Sequence, residues 1–102
     1  MYFNNLKNVI LPVVNKDCVF HNFVIRTDKR DELMKFLSNK RIETKVHYPI
    51  PIHLQKAAIS LGYKNGDFPK TEEFAKTMVS LPIYPELSDD EVNYVIKSVN
   101  LF

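Results

Sequence analysis

The alternation of apolar and polar positions is sharpest in "IETKVHY", residues 42–48, where Ile42, Thr44, Val46 and Tyr48 fall on one side and Glu43, Lys45 and His47 on the other. Period-two patterning predicts a strand with one face on a core and the other open to something polar. Upstream, "VFHNFVIRT", residues 19–27, is rich in β-branched and aromatic residues and predicts a strand covered on much of both faces. Between the two the period lengthens. Leu33, Phe36, Leu37 and Lys40 make one stripe of "KRDELMKFLSNK", an amphipathic helix with Asp28 placed to cap it. In "IHLQKAAISLG", Leu54, Ala57, Ala58 and Leu61 recur at helical spacing ahead of Gly62, which suits the left-handed position past a helix end. Pro69 is well placed to open a further helix, "PKTEEFAKTMV", with Phe74, Ala75 and Met78 inward. "SLPIY" reads as a short edge strand, because Pro82 has no N–H to donate. The last helix has a capping-box spacing of Ser88 and Glu91, acidic residues at the positive end of the dipole, and a stripe of Val92, Val95, Ile96 and Val99. By contrast, "YFNNLKNV" is asparagine-rich and soon followed by Pro12, so it is expected to fray.

Strand, helix, strand, two helices, strand, helix predicts one α+β domain: a small sheet of three strands, four at most, with helices packed on one face. The other face, carrying Lys45 and His47, is left without a cover.

Composition narrows the function classes. Fourteen Lys and Arg against twelve Asp and Glu give a net charge of +2, spread along the chain, so nothing calls for nucleic acid. Cys18 is the single cysteine, which excludes an intramolecular disulfide and CxxC motifs, reads as a structural thiol, and makes a reducing cytoplasm the default compartment. "VILPVV" is too short to span a bilayer, so no membrane partner is expected. His21, His47 and His53 lack metal-ligand spacing, and there is neither a GxSxG elbow nor a glycine-rich phosphate loop. "GYKNGDFP" reads as a turn. Two readings of His47 stand side by side: a half-buried strand residue with a satisfied imidazole, or a group that meets a polar ligand. Pro49 and Pro51 restrict Tyr48 and Ile50 to extended conformations and stiffen the strand exit, and stiff exits carrying Lys45, His47 and Tyr48 together are commoner where a ligand approaches.

"IETKVHYPIPIHLQKA", "LGYKNGDFPKTEEFAK" and "SLPIYPELSDDEVNYVIKSV" resemble, in this order and at these spacings, the C-terminal small domain of the DegT/DnrJ/StrS family of pyridoxal-phosphate nucleotide-sugar aminotransferases. The match runs from about Phe20 to Val99. The resemblance implies the small domain of a fold-type I transferase at residues 19–102, with residues 1–18 leading in from a large domain that lies outside this chain. It implies a reaction that turns a nucleotide-linked keto sugar into an amino sugar, with glutamate as donor and pyridoxal phosphate as cofactor, in a homodimer. The Schiff-base lysine belongs to the large domain, so the chain alone is expected to be inactive. His47 and Tyr48 match positions that close over the sugar, Lys45 can meet a nucleotide phosphate, and His53, at a helix start, is the weakest candidate. An architecture of this kind also serves ferredoxin-like modules that bind small molecules or dimerise without any partner domain.

Overall fold

The computed structural model describes all residues, 1–102. Its centre is a pair of antiparallel four-residue strands, β1 (Phe23–Arg26) and β2 (Met78–Leu81), with Phe23 opposite Leu81 and Ile25 opposite Val79. That register collects Phe23, Ile25, Val79 and Leu81, all buried, on one face. Val24, Arg26, Met78 and Ser80 stand on the other. Three helices bring apolar side chains to the first face: α1 (Tyr2–Asn5), α2 (Arg30–Asn39) and α4 (Asp89–Leu101), through Tyr2, Leu33, Leu37, Val95, Ile96 and Val99. No helix is long and apolar enough to cross a membrane.

The expected three or four strands reduce to two. Each strand has only a one-residue bridge on its outer edge, Ile10 with Arg26 and Lys45 with Ser80. The alternating segment 42–48 therefore touches β2 at one place, where Ser80 N–H donates to the Lys45 carbonyl at 2.7 Å and Lys45 N–H to the Ser80 carbonyl at 3.3 Å. The next pair along that edge would join Glu43 to Pro82. Pro82 has no N–H, and its carbonyl already accepts from the Tyr2 hydroxyl at 2.7 Å, so the ladder stops. The strand expected over 80–84 accordingly begins at Met78 and ends at Leu81.

The N-terminus does not fray. Tyr2 and Leu6 are buried in the core, and the Asn100 side chain accepts from Lys7 N–H and donates to the Asn5 carbonyl, both at 2.8 Å. Tertiary contact overrides the low helix propensity of the asparagines. Asp28 does not cap α2: the helix starts after Lys29 with no side-chain cap, and Thr27 Oγ1 accepts the Lys29 N–H instead. The capping box of α4 forms as its spacing predicts, Ser88 Oγ accepting from Glu91 N–H and the Glu91 carboxylate from Ser88 N–H. Such caps contribute about 1 kcal/mol.

Residues 49–77 depart furthest from their periodicity. The helix expected over 52–61 is two 3₁₀ turns, Ile52–Leu54 and Lys56–Leu61, broken at Gln55, whose backbone is extended. Leu54, Ala57 and Leu61 are exposed and only Ala58 of that stripe is buried. Gly62 takes the left-handed conformation expected of it, at φ +76°. Helix α3 (Pro69–Thr77) opens on its proline and buries Ala75 together with Glu72, while Phe74 lies outside beneath the Arg26 guanidinium, 4.0 Å from the ring centre. None of these residues belongs to the main apolar core.

Candidate functional site

An open cleft of about 720 Å³ lies between the 41–47 segment, the end of β2 with the turn that follows it, and the first turns of α4. Two of the four residues singled out in the sequence meet there. Lys45 lines the cleft and pairs loosely with Glu43 at 3.3 Å; both side chains are well exposed, so the pair adds little stability and leaves the ammonium available. His47 lines it as well, half-buried, with Nδ1 2.9 Å from Ser80 Oγ. The alternation in 42–48 predicted this placement as far as Val46: Ile42 is buried, Thr44 and Val46 are half-buried, and Glu43 and Lys45 are exposed, whereas Tyr48, on the expected core face, is exposed as well.

Tyr48 and His53 are not brought to the cleft. Tyr48 is 68% exposed, joined to His47 by a cis peptide, and its ring meets the imidazole edge to face at 5.5 Å. His53 is buried, and its Nε2 donates to Glu72 Oε1 at 2.8 Å. The same carboxylate accepts the Gly66 N–H with both oxygens, at 2.8 and 3.0 Å, and Phe68 packs edge-on against the His53 ring at 4.8 Å. Gly66 sits at φ +97°, a conformation that favours glycine. A turn, a 3₁₀ segment and a helix are thus tied at one carboxylate, which makes His53 an architectural residue.

The cleft contains residues that the sequence did not mark as site candidates: Asn22, Ser80 and Tyr84 among its polar lining, and Asp90 and Glu91 at the start of α4, where the sequence reads only a helix cap. The stretch "SLPIYPEL" held the signal for Ser80 and Tyr84: Ser80 is in β2 against Lys45 and His47, and Tyr84 lies in the turn that follows the strand. No three His, Cys, Asp or Glu side chains come together as metal ligands. Cys18 is exposed and has no place in the core, contrary to its expected structural role.

The Glu72 carboxyl is held below its ordinary value, first by the hydrogen bond from His53 and further by the Gly66 N–H and the His53 charge, against burial, which raises it. A depressed folded-state value means that its contribution is present at neutral pH and is lost as the pH falls below the ordinary carboxylate range. In acid titration, the Gly66 amide resonance should therefore move with a midpoint below that range, and overall stability should decline over the same interval. Glu72→Gln should flatten both curves; an unchanged acid limb in that variant would remove Glu72 from its cause.

Comparison with known proteins adds the lineage. The model of the DegT/DnrJ/EryC1/StrS aminotransferase family matches residues 2–100. A "Pleiotropic regulatory protein" of Geobacillus stearothermophilus is 48% identical over 84 residues, 82% of this chain and 23% of that protein. The dTDP-3-amino-3,4,6-trideoxy-alpha-D-glucose transaminase of Streptomyces venezuelae is 40% identical over 96 residues, 92% of this chain and 25% of that one. Among solved structures, S. venezuelae DesV in complex with a ketimine intermediate superposes with a TM-score of 0.92 at 37% identity, covering 98% of this chain and 28% of that one. The chain thus spans about a quarter of the length of the relatives it matches. With the family model matched along nearly its whole length, this chain belongs to the DegT/DnrJ/EryC1/StrS aminotransferase family.

Proposed function

We propose that residues 19–102 form the small domain of a pyridoxal-phosphate-dependent aminotransferase that converts a nucleotide-linked keto sugar to an amino sugar with glutamate as donor, residues 1–18 leading in from its large domain. The observation that carries this reading is the convergence of Lys45 and His47 on one cleft in a chain of this family. In it, the His47 imidazole hydrogen-bonds a sugar oxygen and Lys45 meets a nucleotide phosphate as a point charge. Tyr48, exposed beside His47, closes over the sugar from the rim. His53 drops out of the substrate-binding set, because its Nε2 is committed to Glu72 in a buried pair.

The cofactor's chemistry is that of an electron sink for the amino transfer. Its covalent anchor does not fit the residues of this chain. An amine that attacks a carbonyl near neutral pH is activated by desolvation or by a neighbouring cation, whereas ten of the eleven lysines are exposed, Lys40 is half-buried, and Lys45 faces a carboxylate. That supports an anchor elsewhere in a longer protein.

Mixed with pyridoxal phosphate, the 102-residue chain should develop no stoichiometric absorption band of a lysine–pyridoxal adduct. A full band traced to one lysine would overturn the placement of the anchor. Extended through its coding frame to the length of the relatives, the protein should take up the cofactor, sediment as two chains, and aminate a nucleotide-linked keto sugar with glutamate. A loaded protein that fails to do so would sink the proposal.

A further inference from the structure

We propose that Ser80 is a positioning residue for His47, its hydroxyl donating to Nδ1 so that the neutral imidazole carries its proton on Nε2 and offers that N–H to an acceptor oxygen in the cleft. The claim rests on the reading of the cleft as a sugar site only for the identity of that oxygen; the state of the ring is a property of the chain itself.

The local backbone fixes Ser80 first. Its N–H and C=O both pair with Lys45, and Val24 stands opposite it on β1, so the residue has no freedom to slide. Two residues beyond Lys45 in an extended segment, His47 returns to the same side, and its Nδ1 comes to 2.9 Å from Ser80 Oγ. Ser80 is buried. Its hydroxyl has no other hydrogen-bond partner, and no buried side-chain nitrogen or oxygen is left unpaired in the structure.

These facts choose between two arrangements. If Nδ1–H donated to Oγ, the serine proton would have no acceptor within the protein and would depend on water in the cleft that Ser80 also lines. If the hydroxyl donates to Nδ1, both groups are satisfied and the ring proton moves to the remaining nitrogen. The second arrangement is the one that pairs both groups within the fold. His47 then serves the cleft as a donor, which suits a sugar hydroxyl or keto oxygen.

Imidazole ¹⁵N spectra of the labelled chain at a pH where His47 is neutral test this directly. The expected result is an unprotonated Nδ1 and a protonated Nε2. Ser80→Ala, which leaves the Lys45 backbone pair available, should shift the ring toward a mixture of tautomers, and Ser80→Thr, which restores a donor, should restore the single form. A purely structural serine would leave the tautomer unmoved in S80A, and a protonated Nδ1 in the unaltered chain would overturn the proposal outright. Should S80A not fold, S80T and the unaltered chain still decide the matter, since both must show the Nε2–H form. In the extended enzyme S80A should lower kcat/KM by about tenfold, the effect of one hydrogen bond. If the tautomer behaves as stated while removal of the His47 ring leaves kinetics untouched, the sugar-site reading fails and the positioning of His47 by Ser80 stands.

Discussion

Replacing Phe23 with alanine is expected to destabilise the domain by about 3–5 kcal/mol, the range for removing a large aromatic from a packed core. Phe23 is 2% exposed and its ring is met by Tyr2 at 4.8 Å, Phe3 at 5.0 Å and Phe20 at 5.4 Å. The contacts come from α1 and from the approach to β1, so no single neighbour can move in to fill the space without abandoning another. A domain of this size has a total stability of about 5–15 kcal/mol. The melting temperature should therefore drop by on the order of 20 °C, with loss of the α1 contacts as the first spectroscopic sign. A drop of only a few degrees would mean that the aromatic cluster is loosely packed and that α1 is an appendage.

The second large effect is on activity. His47→Asn in the extended enzyme should lower kcat/KM by roughly tenfold to a thousandfold, according to how well the lost hydrogen bond to the sugar is preorganised. Its stability cost should be about 1 kcal/mol, since the residue is half-buried and gives up one bond to Ser80. The two readings of this histidine at the sequence level turn out to be compatible: one ring nitrogen is satisfied inside the fold and the other is free. Steady-state kinetics and thermal unfolding on the same variant separate the contributions, and unchanged kinetics with a large fall in melting temperature would reduce His47 to architecture.

The legible parts of the fold are those where local pattern and tertiary environment agree. Helix α4 was readable because the Ser88–Glu91 box and the Val95, Ile96, Val99 stripe lie within a single turn-to-turn register. The outward placement of Lys45 and His47 was readable because alternation determines a face even when it does not produce a strand. What defeated the reading was long-range partnership. Nothing in "YFNN" announces that the Tyr2 hydroxyl will reach Pro82, eighty residues away, and that contact both holds α1 and closes the edge that "IETKVHY" needed. His53 looked like a helix-start ligand because its partner Glu72, nineteen residues on, was hidden in what read as a solvated helix. The apolar spacing of 52–61 was real but had no core to face.

That last circumstance bears on how the molecule opens. Residues 49–66 are held chiefly by the His53–Glu72 pair, the Gly66 N–H on the same carboxylate and the buried Ala58. Helix α3 is further tied to β1 by Arg26 on Glu73 and Phe74 and to α2 by Arg30 on the Ala75 carbonyl, and the strands and α1, α2 and α4 share a contiguous apolar interior. Free energies of opening in such a molecule divide into cooperative units. The excursion from Pro49 to Gly66, which lies outside the apolar interior, is expected to open as a unit of its own, its amides exchanging with solvent hydrogen before those of the strands. The 42–47 wall of the cleft is tied to the apolar interior through Ile42 and to β2 through the Lys45–Ser80 pair, so the two histidines, six residues apart in the sequence, are expected to fall on opposite sides of a boundary in local stability.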